Sequence, residues 1–334
     1  MSEHMGLPYC YRLSPPIGQY ALAALEFRAL TGANGPRVPT PNPRGERDDL
    51  PRLVRARIGV DVGRSSYVAE CLRVLAEEPT LEELLTSAGK LSLKRERFRI
   101  KLRESGEVKR PLSQEIERAF ADTIVGSPDL SNPATLLVVI AQPDRWLLAE
   151  QVSSTARGWR GHEQRPFQYS SALPPRIARA MVNLVAAPGD RIIDPCCGVG
   201  TVLVEASSMG IEPYGWEINP KLAEHATANL CHHQQGAWIV VGDGRNARGR
   251  WGGAVLDLPY GQQCERVDSV CAGLVKRATE VADLIAVVSL QDLGELLASL
   301  DCRLLGVAEL VKGHLRRRVH WASTPSGSQA LSGG

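Results

Sequence analysis

No apolar run in this chain approaches the roughly 20 residues that a membrane-spanning helix requires. The first seven residues also lack the charged-then-apolar layout of a signal peptide. These absences argue against a membrane partner, and the protein is expected in the cytoplasm. The eight cysteines include no CxxC pair, and the adjacent Cys196 and Cys197 are poorly placed to bond each other. A disulfide framework and a zinc cluster are therefore both disfavoured; scattered buried thiols and no metal are expected. Charge of one sign is not in excess either. With 39 Lys and Arg against 37 Asp and Glu, the net charge of +2 is too small for a uniformly basic nucleic-acid binder. Any basic surface must be local. What is present is ordinary globular composition, 43% apolar and 23% charged, over 334 residues, which is room for two or three domains.

Three stretches read as loops. Residues 34–51 hold five prolines and read as a mobile insertion. Residues 153–166, containing Arg157-Gly-Trp-Arg-Gly-His-Glu-Gln-Arg-Pro166, separate two well-patterned regions and read as an interdomain linker. Residues 323–334 are Ser/Gly-rich and are expected to be a disordered tail.

Between linker and tail, short apolar runs alternate with helical spacing. The pattern predicts strands over 191–194, 213–217, 238–241, 254–257 and 284–289, with helices over 176–187, 201–209, 220–231 and 267–281. Continuous apolar strands are buried on both faces, as in parallel sheets, so residues 167–322 read as a doubly wound α/β domain. The first part differs. Strands are expected over 9–13, 53–60, 97–103 and 136–140, and helices over 21–30, 81–87 and 113–125, an α+β pattern. Within it, Arg97-Phe-Arg-Ile-Lys-Leu-Arg103 alternates apolar and cationic side chains, which puts Phe98, Ile100 and Leu102 in a core and four cations on the other face. Residues 90–110 carry nine Lys or Arg against three Glu, an enrichment that chance placement does not explain.

Four acids or turns fall at predicted strand ends, where open α/β sheets bind ligands. Asp194-Pro-Cys-Cys-Gly-Val-Gly-Thr201 joins a strand to a helix, and its glycines allow a tight turn and close backbone approach to a ligand. Leu203 stands where a dinucleotide fingerprint needs a small residue, which disfavours NAD. Glu217 ends the next strand, 23 residues on, where a carboxylate can accept from ribose hydroxyls. Asp243, within Gly242-Asp-Gly244, can accept from an adenine amino group. Asp257-Leu-Pro-Tyr-Gly261 ends the fourth strand.

That series of loop, acid, GDG and DLPYG resembles the amino-methyltransferases, whose signature is Asp/Asn-Pro-Pro-Tyr/Phe. Arg165-Pro-Phe167, Leu173-Pro-Pro175 and Asn183-Leu184, taken with the glycine loop and DLPYG, are similar to the THUMP-containing guanosine N(2)-methyltransferases of tRNA, the archaeal and eukaryotic enzymes acting at nucleotide ten above all. The resemblance spans about residues 90–310 and is strongest over 165–261. It implies a ferredoxin-like domain over 1–88, a THUMP domain over 89–152 and a Rossmann-like S-adenosylmethionine-dependent methyltransferase domain over 167–322. The implied cofactor-binding residues are Phe167, Asp194, Cys196, Gly198, Gly200, Thr201, Glu217, Ile218, Asp243 and Gly244. The implied catalytic residues are Asp257, Leu258, Pro259 and Tyr260. Arg97, Arg99, Lys101, Arg103, Lys109 and Arg110 would contact RNA, with the 3′ acceptor end of tRNA held by the THUMP module, and a small activator protein is a further partner the resemblance allows. Leu258 departs from the family pattern, which has Pro there.

The chemistry follows from the target. A guanine exocyclic amine is a weak nucleophile because its lone pair is delocalised. Asp257 and the Leu258 carbonyl can accept its two hydrogens and offset the charge that develops on nitrogen, and Tyr260 can stack on the extruded base. A covalent route through Cys196, Cys197 or Cys264 suits methylation at carbon and is disfavoured beside DLPYG. Two alternatives stay open: the same chemistry on another tRNA guanosine or on ribosomal RNA, and an RNA-binding protein with decayed catalysis.

Overall fold

The computed structural model describes residues 8–32, 52–104, 110–169, 172–259, 269–312 and 315–327. The chain opens with β1 (Tyr9–Leu13), α1 (Tyr20–Thr31), β2 (Leu53–Ala56), β3 (Val68–Glu78), α2 (Leu81–Ala88), β4 (Ser92–Glu104), α3 (Arg110–Thr123), β5 (Val125–Pro128), β6 (Thr135–Ala141) and β7 (Trp146–Ser154). After a 3-10 segment, Gly158–Glu163, come α4 (Pro175–Val185), β8 (Arg191–Asp194), α5 (Thr201–Ser208), β9 (Glu212–Glu217), α6 (Pro220–His232), β10 (Trp238–Val241), β11 (Trp251–Asp257), α7 (Ser269–Val281), β12 (Ala282–Ser289), α8 (Gly294–Ser299), β13 (Arg303–Lys312) and β14 (Leu315–Ser323). They form two compact units. One takes the described residues of Met1–Leu13, Pro51–Gly63 and Val68–Ser154; the other takes those of Ser14–Leu50, Arg64–Tyr67 and Thr155–Gly334.

The first unit is a seven-stranded sheet in the order β2-β1-β3-β7-β6-β4-β5. Phe98, Ile100 and Leu102 of β4 are buried with Leu84 of α2 and Ile116 and Phe120 of α3, as the alternation predicts. The expected boundary at 88/89 falls inside this sheet, because β3 pairs antiparallel with β7 along most of its length. Segments 1–88 and 89–152 thus share one ladder. β3 and β7 give little strand signal because Leu, Ala and Glu, good helix formers, dominate Val-Ala-Glu-Cys-Leu-Arg-Val-Leu-Ala-Glu-Glu and Trp-Leu-Leu-Ala-Glu-Gln-Val-Ser-Ser; pairing overrides that propensity. The helix expected to reach Val125 stops at Thr123, and β5 pairs parallel with β4. Gly126 accounts for the break: it lies so close to the Phe98 ring that a Cβ would be 2.8 Å from Cε1, and Pro128 cannot continue a helix.

The second unit carries the sheet β10-β9-β8-β11-β12-β14-β13. Its first five strands are parallel, and β14 and β13 close it antiparallel. Adjacent residues of β8 serve opposite layers: Ile192 packs with α4 and α5, Ile193 with α7. The order reverses at β8, which has β9 on one side and β11 on the other, so a crevice opens at the carboxyl ends of these strands.

This unit also captures residues from the N-terminal part, which moves the expected domain start at 167. Glu26 of α1 is fully buried, and its carboxylate accepts from Ser65 Oγ (2.6 Å), Ser66 N (2.9 Å), Tyr67 N (2.9 Å) and Asn183 Nδ2 (2.7 Å). A buried carboxylate is tolerable only with such a set of donors. Asn183 therefore has a structural task, fastening α1 and residues 64–67 to α4. The expected linker is not loose. Ser153 and Ser154 belong to β7, and Trp159 is buried within the 3-10 segment. The expected tail begins later than 323, since Thr324 is buried and donates to the Ala282 carbonyl (2.8 Å). The expected insertion over 34–51 and the end of the tail lie outside the described residues. No helix among the described residues is long and apolar enough to cross a membrane.

Candidate active site

At the carboxyl ends of β8, β9, β10 and β11 lies a cavity of about 410 Å3, within the ~300–1,000 Å3 usual for small-molecule sites. Its lining includes Asp194, Cys196, Gly198, Thr201, Glu217, Ile218, Asp243, Gly244, Asp257, Leu258 and Pro259, so strand-end motifs spread over 66 positions of sequence converge on one hollow. Gly200 does not line it but makes its floor possible. It caps α5 at φ +80°, and a Cβ there would sit 3.0 Å from the Ala226 Cβ. Gly244 has a similar role, because a Cβ would fall 1.9 Å from the Pro195 carbonyl oxygen.

The acids differ in their surroundings. Asp194 is buried, and its Oδ1 accepts from Cys196 N at 3.1 Å. Burial, with smaller contributions from the nearby Asp257 and Glu217 charges, pushes its carboxyl up to about 8 against the pull of that amide. Glu217 accepts from Gly198 N (2.9 Å, Oε2) and Asn219 N (2.8 Å, Oε1), so each oxygen is oriented and keeps a lone pair for a ligand hydroxyl. Asp243 is gripped by Arg245, from Nε (3.0 Å to Oδ1) and Nη2 (2.5 Å to Oδ2), and these bonds hold its carboxyl below the usual range.

β11 delivers the reaction loop. Leu258 is buried against α7, and its N–H donates to the Val288 carbonyl at 3.3 Å. That bond continues the β11–β12 ladder, which pairs Asp257 with Val288, by one further contact. A proline at 258 would fix φ through its ring; here the ladder and the buried side chain restrain the same peptide. Leu258→Pro is accordingly expected to cost stability, about 1–3 kcal/mol from the orphaned Val288 carbonyl, while leaving methyl transfer measurable. Denaturant unfolding and a single-turnover assay check both halves; a more stable variant would show that the ladder bond is not what holds the loop.

The structure also corrects and extends the expected set. Phe167 does not reach the cavity. Its ring stacks on His225 (centroids 3.9 Å apart, planes 6° apart), and Asn229 of the same helix, α6, grips its backbone. Tyr169, two residues on, lines the cavity instead, with Leu173, Leu222, Arg245 and Leu274. Asn229 is buried and fully engaged: Oδ1 accepts from Phe167 N (3.0 Å), and Nδ2 donates to the Phe167 and Val199 carbonyls (both 2.9 Å). It staples the segment after Arg165 to the glycine loop, and no motif marks it because its partners lie 62 and 30 residues away. Tyr260, Cys264 and Lys109 lie outside the described residues. Burial pushes the Cys196 and Cys197 thiols well up, which keeps them protonated and removes the nucleophile a covalent route needs. Among the described residues no cluster of His, Cys, Asp and Glu could hold a metal ion.

In the first unit the cationic face of β4 is partly committed. Arg103 and Arg12 both bond the buried Glu70 (2.6 and 2.7 Å). Burial pushes Glu70 up, but the two guanidiniums outweigh it and hold the carboxyl below its ordinary value. Arg97 faces Asp129 at 3.5 Å, and Arg99 donates to the Leu130 carbonyl at 3.0 Å. Arg110 opens α3. Arg103 is thus a folding contact first, whereas Arg97, Arg99 and Lys101 remain on the surface.

Residues 162–283 match the RMKL-like methyltransferase domain family. The chain is 33% identical over 177 residues to a tRNA (guanine(10)-N2)-dimethyltransferase of Methanothermobacter thermautotrophicus, covering 50% of this chain and 52% of that protein. It is 36% identical over 146 residues to the protein of the same name from Pyrococcus abyssi, covering 40% and 43%. The chain thus matches about half the length of these curated relatives, or less. Among solved structures, TrmN from Thermus thermophilus aligns over 95% of this chain and 99% of that one, with 20% identity and a TM-score of 0.47.

Proposed function

We propose that the second unit binds S-adenosylmethionine and methylates the exocyclic amine of a guanine in tRNA, at nucleotide ten as the names of the curated relatives suggest. The observation that carries this reading is the convergence of the strand-end acids and the Asp257-Leu-Pro259 loop on one cavity. The donor set suits the cofactor: Glu217 for ribose hydroxyls, Asp243 for an adenine amino group, and the buried Asp194 for the ammonium of the amino-acid end. When bound, S-adenosylmethionine supplies an electrophilic methyl group. The protein's task is then to orient the amine and stabilise developing positive charge. The Asp257 carboxylate and the Leu258 carbonyl accept the two amine hydrogens, so the nitrogen lone pair is freed from the ring as the bond forms. The buried Leu258, Leu274 and Val202 side chains wall the cavity and limit water. Asp257 is not required to remove the proton before attack; solvent takes it once the amine is cationic.

The first unit is assigned to RNA, in the manner of a THUMP module that holds the 3′ acceptor end, and the protein is placed in the cytoplasm. Its surface cations position phosphates without reading sequence. The test combines both halves. Incubation with labelled cofactor and unmodified tRNA, followed by nucleoside mass spectrometry, should yield N(2)-methylguanine. Charge reversal at Arg99 and Lys101 together should weaken tRNA binding at least about tenfold and flatten its salt dependence, with cofactor affinity unchanged. Removing the terminal CCA from the tRNA should cause a similar loss, and the two changes together should add little. Label on uridine or adenosine alone would defeat the guanine assignment; full activity on trimmed tRNA would defeat the acceptor-end role.

A further inference from the structure

One cation beside the cavity has no partner charge of its own. Arg165 Nη1 donates to Thr201 Oγ1 at 2.5 Å, and Arg165 Nε is buried with no hydrogen-bond partner. The nearest buried acid does not neutralise it. Glu205 spends Oε1 on His162 Nδ1 (2.6 Å) and Oε2 on Arg179 Nη1 (2.9 Å). Thr201 is itself buried, lines the cavity and is the first residue of α5. A hydroxyl has one hydrogen and two lone pairs. Since the Thr201 oxygen receives the guanidinium, its hydrogen is left to donate, and it faces the cavity. The amides of the first turn of α5 point the same way, because the cap residue is Gly200 and supplies no side chain. Helix end, hydroxyl hydrogen and guanidinium together favour an anion at this wall. Asp194, Glu217 and Asp257 line the rest of the cavity and favour cationic or hydroxyl groups.

From this polarity we infer that Arg165, acting through Thr201, fixes the carboxylate of the cofactor's amino-acid end, opposite the ammonium held by Asp194. Arg165 is a positioning residue: it does not line the cavity, but it sets the direction in which Thr201 donates. The Asn229 staple, two residues beyond Arg165, holds the segment in place for this. The inference rests on the cavity being an S-adenosylmethionine site, and it explains why an arginine precedes Pro166 and Phe167 there.

The experiment is binding calorimetry, without RNA, on wild type, Arg165→Gln, the near-isosteric Thr201→Val and the double variant. The probes are S-adenosylmethionine and its decarboxylated form, which keeps the sulfonium and ammonium and lacks only the carboxylate. Wild type should prefer the carboxylated probe by about 10- to 100-fold, the range of a charge-assisted hydrogen bond. Each single variant should lose most of that preference while binding the decarboxylated probe as wild type does, and the double variant should be no worse than either single. Equal losses for both probes, or additive losses in the double variant, would mean that the contact merely supports the fold. If wild type binds both probes equally well, this assignment fails and the cofactor reading stands; if it binds neither, both fail together.

Discussion

Asp257→Ala is expected to bind S-adenosylmethionine within a few-fold of wild type and to lose nearly all turnover. Asp257 sits at the end of β11 on the cavity wall, beside the Leu258 peptide that the ladder holds in place. The adenosine-directed acids, Glu217 and Asp243, lie on other strand ends. A contact that strengthens only as the amine becomes cationic lowers the rate without a matching loss of ground-state binding. Removing one such acceptor costs on the order of 10²–10³ in rate where comparable contacts have been deleted, and the paired loss of amine orientation adds to it. Single-turnover methyl transfer with saturating tRNA, alongside calorimetry, separates the two quantities. A variant keeping more than about a tenth of wild-type turnover would remove Asp257 from the chemistry.

The second large effect concerns Asp194. Its carboxyl is pushed up to about 8, by burial first and by the Asp257 and Glu217 charges after that. In the free protein near pH 7 it is therefore mostly protonated, and a cationic ligand must take up its ionised form. Binding then releases a proton. Affinity for S-adenosylmethionine should rise toward tenfold per pH unit between about pH 6 and 7.5, since one proton is exchanged per site. Asp194→Asn should bind weakly and show none of this slope. Stability moves the other way. A group whose folded value is raised contributes stability that is fully present below its unfolded value, ~3.9 for Asp, and lost as pH rises through the folded value. The ligand-free wild type should therefore melt progressively lower between about pH 4 and 8, relative to Asp194→Asn, with the gap widest at pH 8. Calorimetry in buffers of different ionisation enthalpy and melting curves at pH 5 and 8 check both statements. A pH-independent affinity in wild type would mean that Asp194 is already ionised before the ligand arrives.

The gain in binding and the loss in ligand-free stability come from one cause. An acid held without solvent or a counter-charge waits for a cation, and the fold bears the cost until one arrives. The same logic, with the sign reversed, applies to Arg165 across the cavity.

How much of this could be read from the chain alone depends on the range of the interaction. β8, β10 and the heptapeptide of β4 were legible because a buried strand writes its burial into consecutive or alternating residues. The positions of Asp194, Glu217, Asp243 and Asp257 were legible for a related reason: each directly follows such a run, and parallel strands place their carboxyl ends on one side of the sheet. β3 and β7 were not, since their residues favour helix and only mutual pairing makes them strands. Phe167 was misjudged and Tyr169 missed because the path of that segment is set by Asn229 on a helix some 60 residues later.

By itself, then, the sequence determined the doubly wound second half, the glycine loop, the acids at the strand ends and the alternating basic strand, all of which rest on local periodicity and turn chemistry. The tertiary structure alone decided which unit owns α1, through the donors that converge on the buried Glu26. It likewise decided that Arg103 serves Glu70, that Leu258 is held by Val288, and that Arg165 aims the Thr201 hydroxyl. Each of these is a hydrogen bond or ion pair between residues at least 30 positions apart. Side-chain polarity can signal that such a group needs a partner, but only the folded chain selects which one.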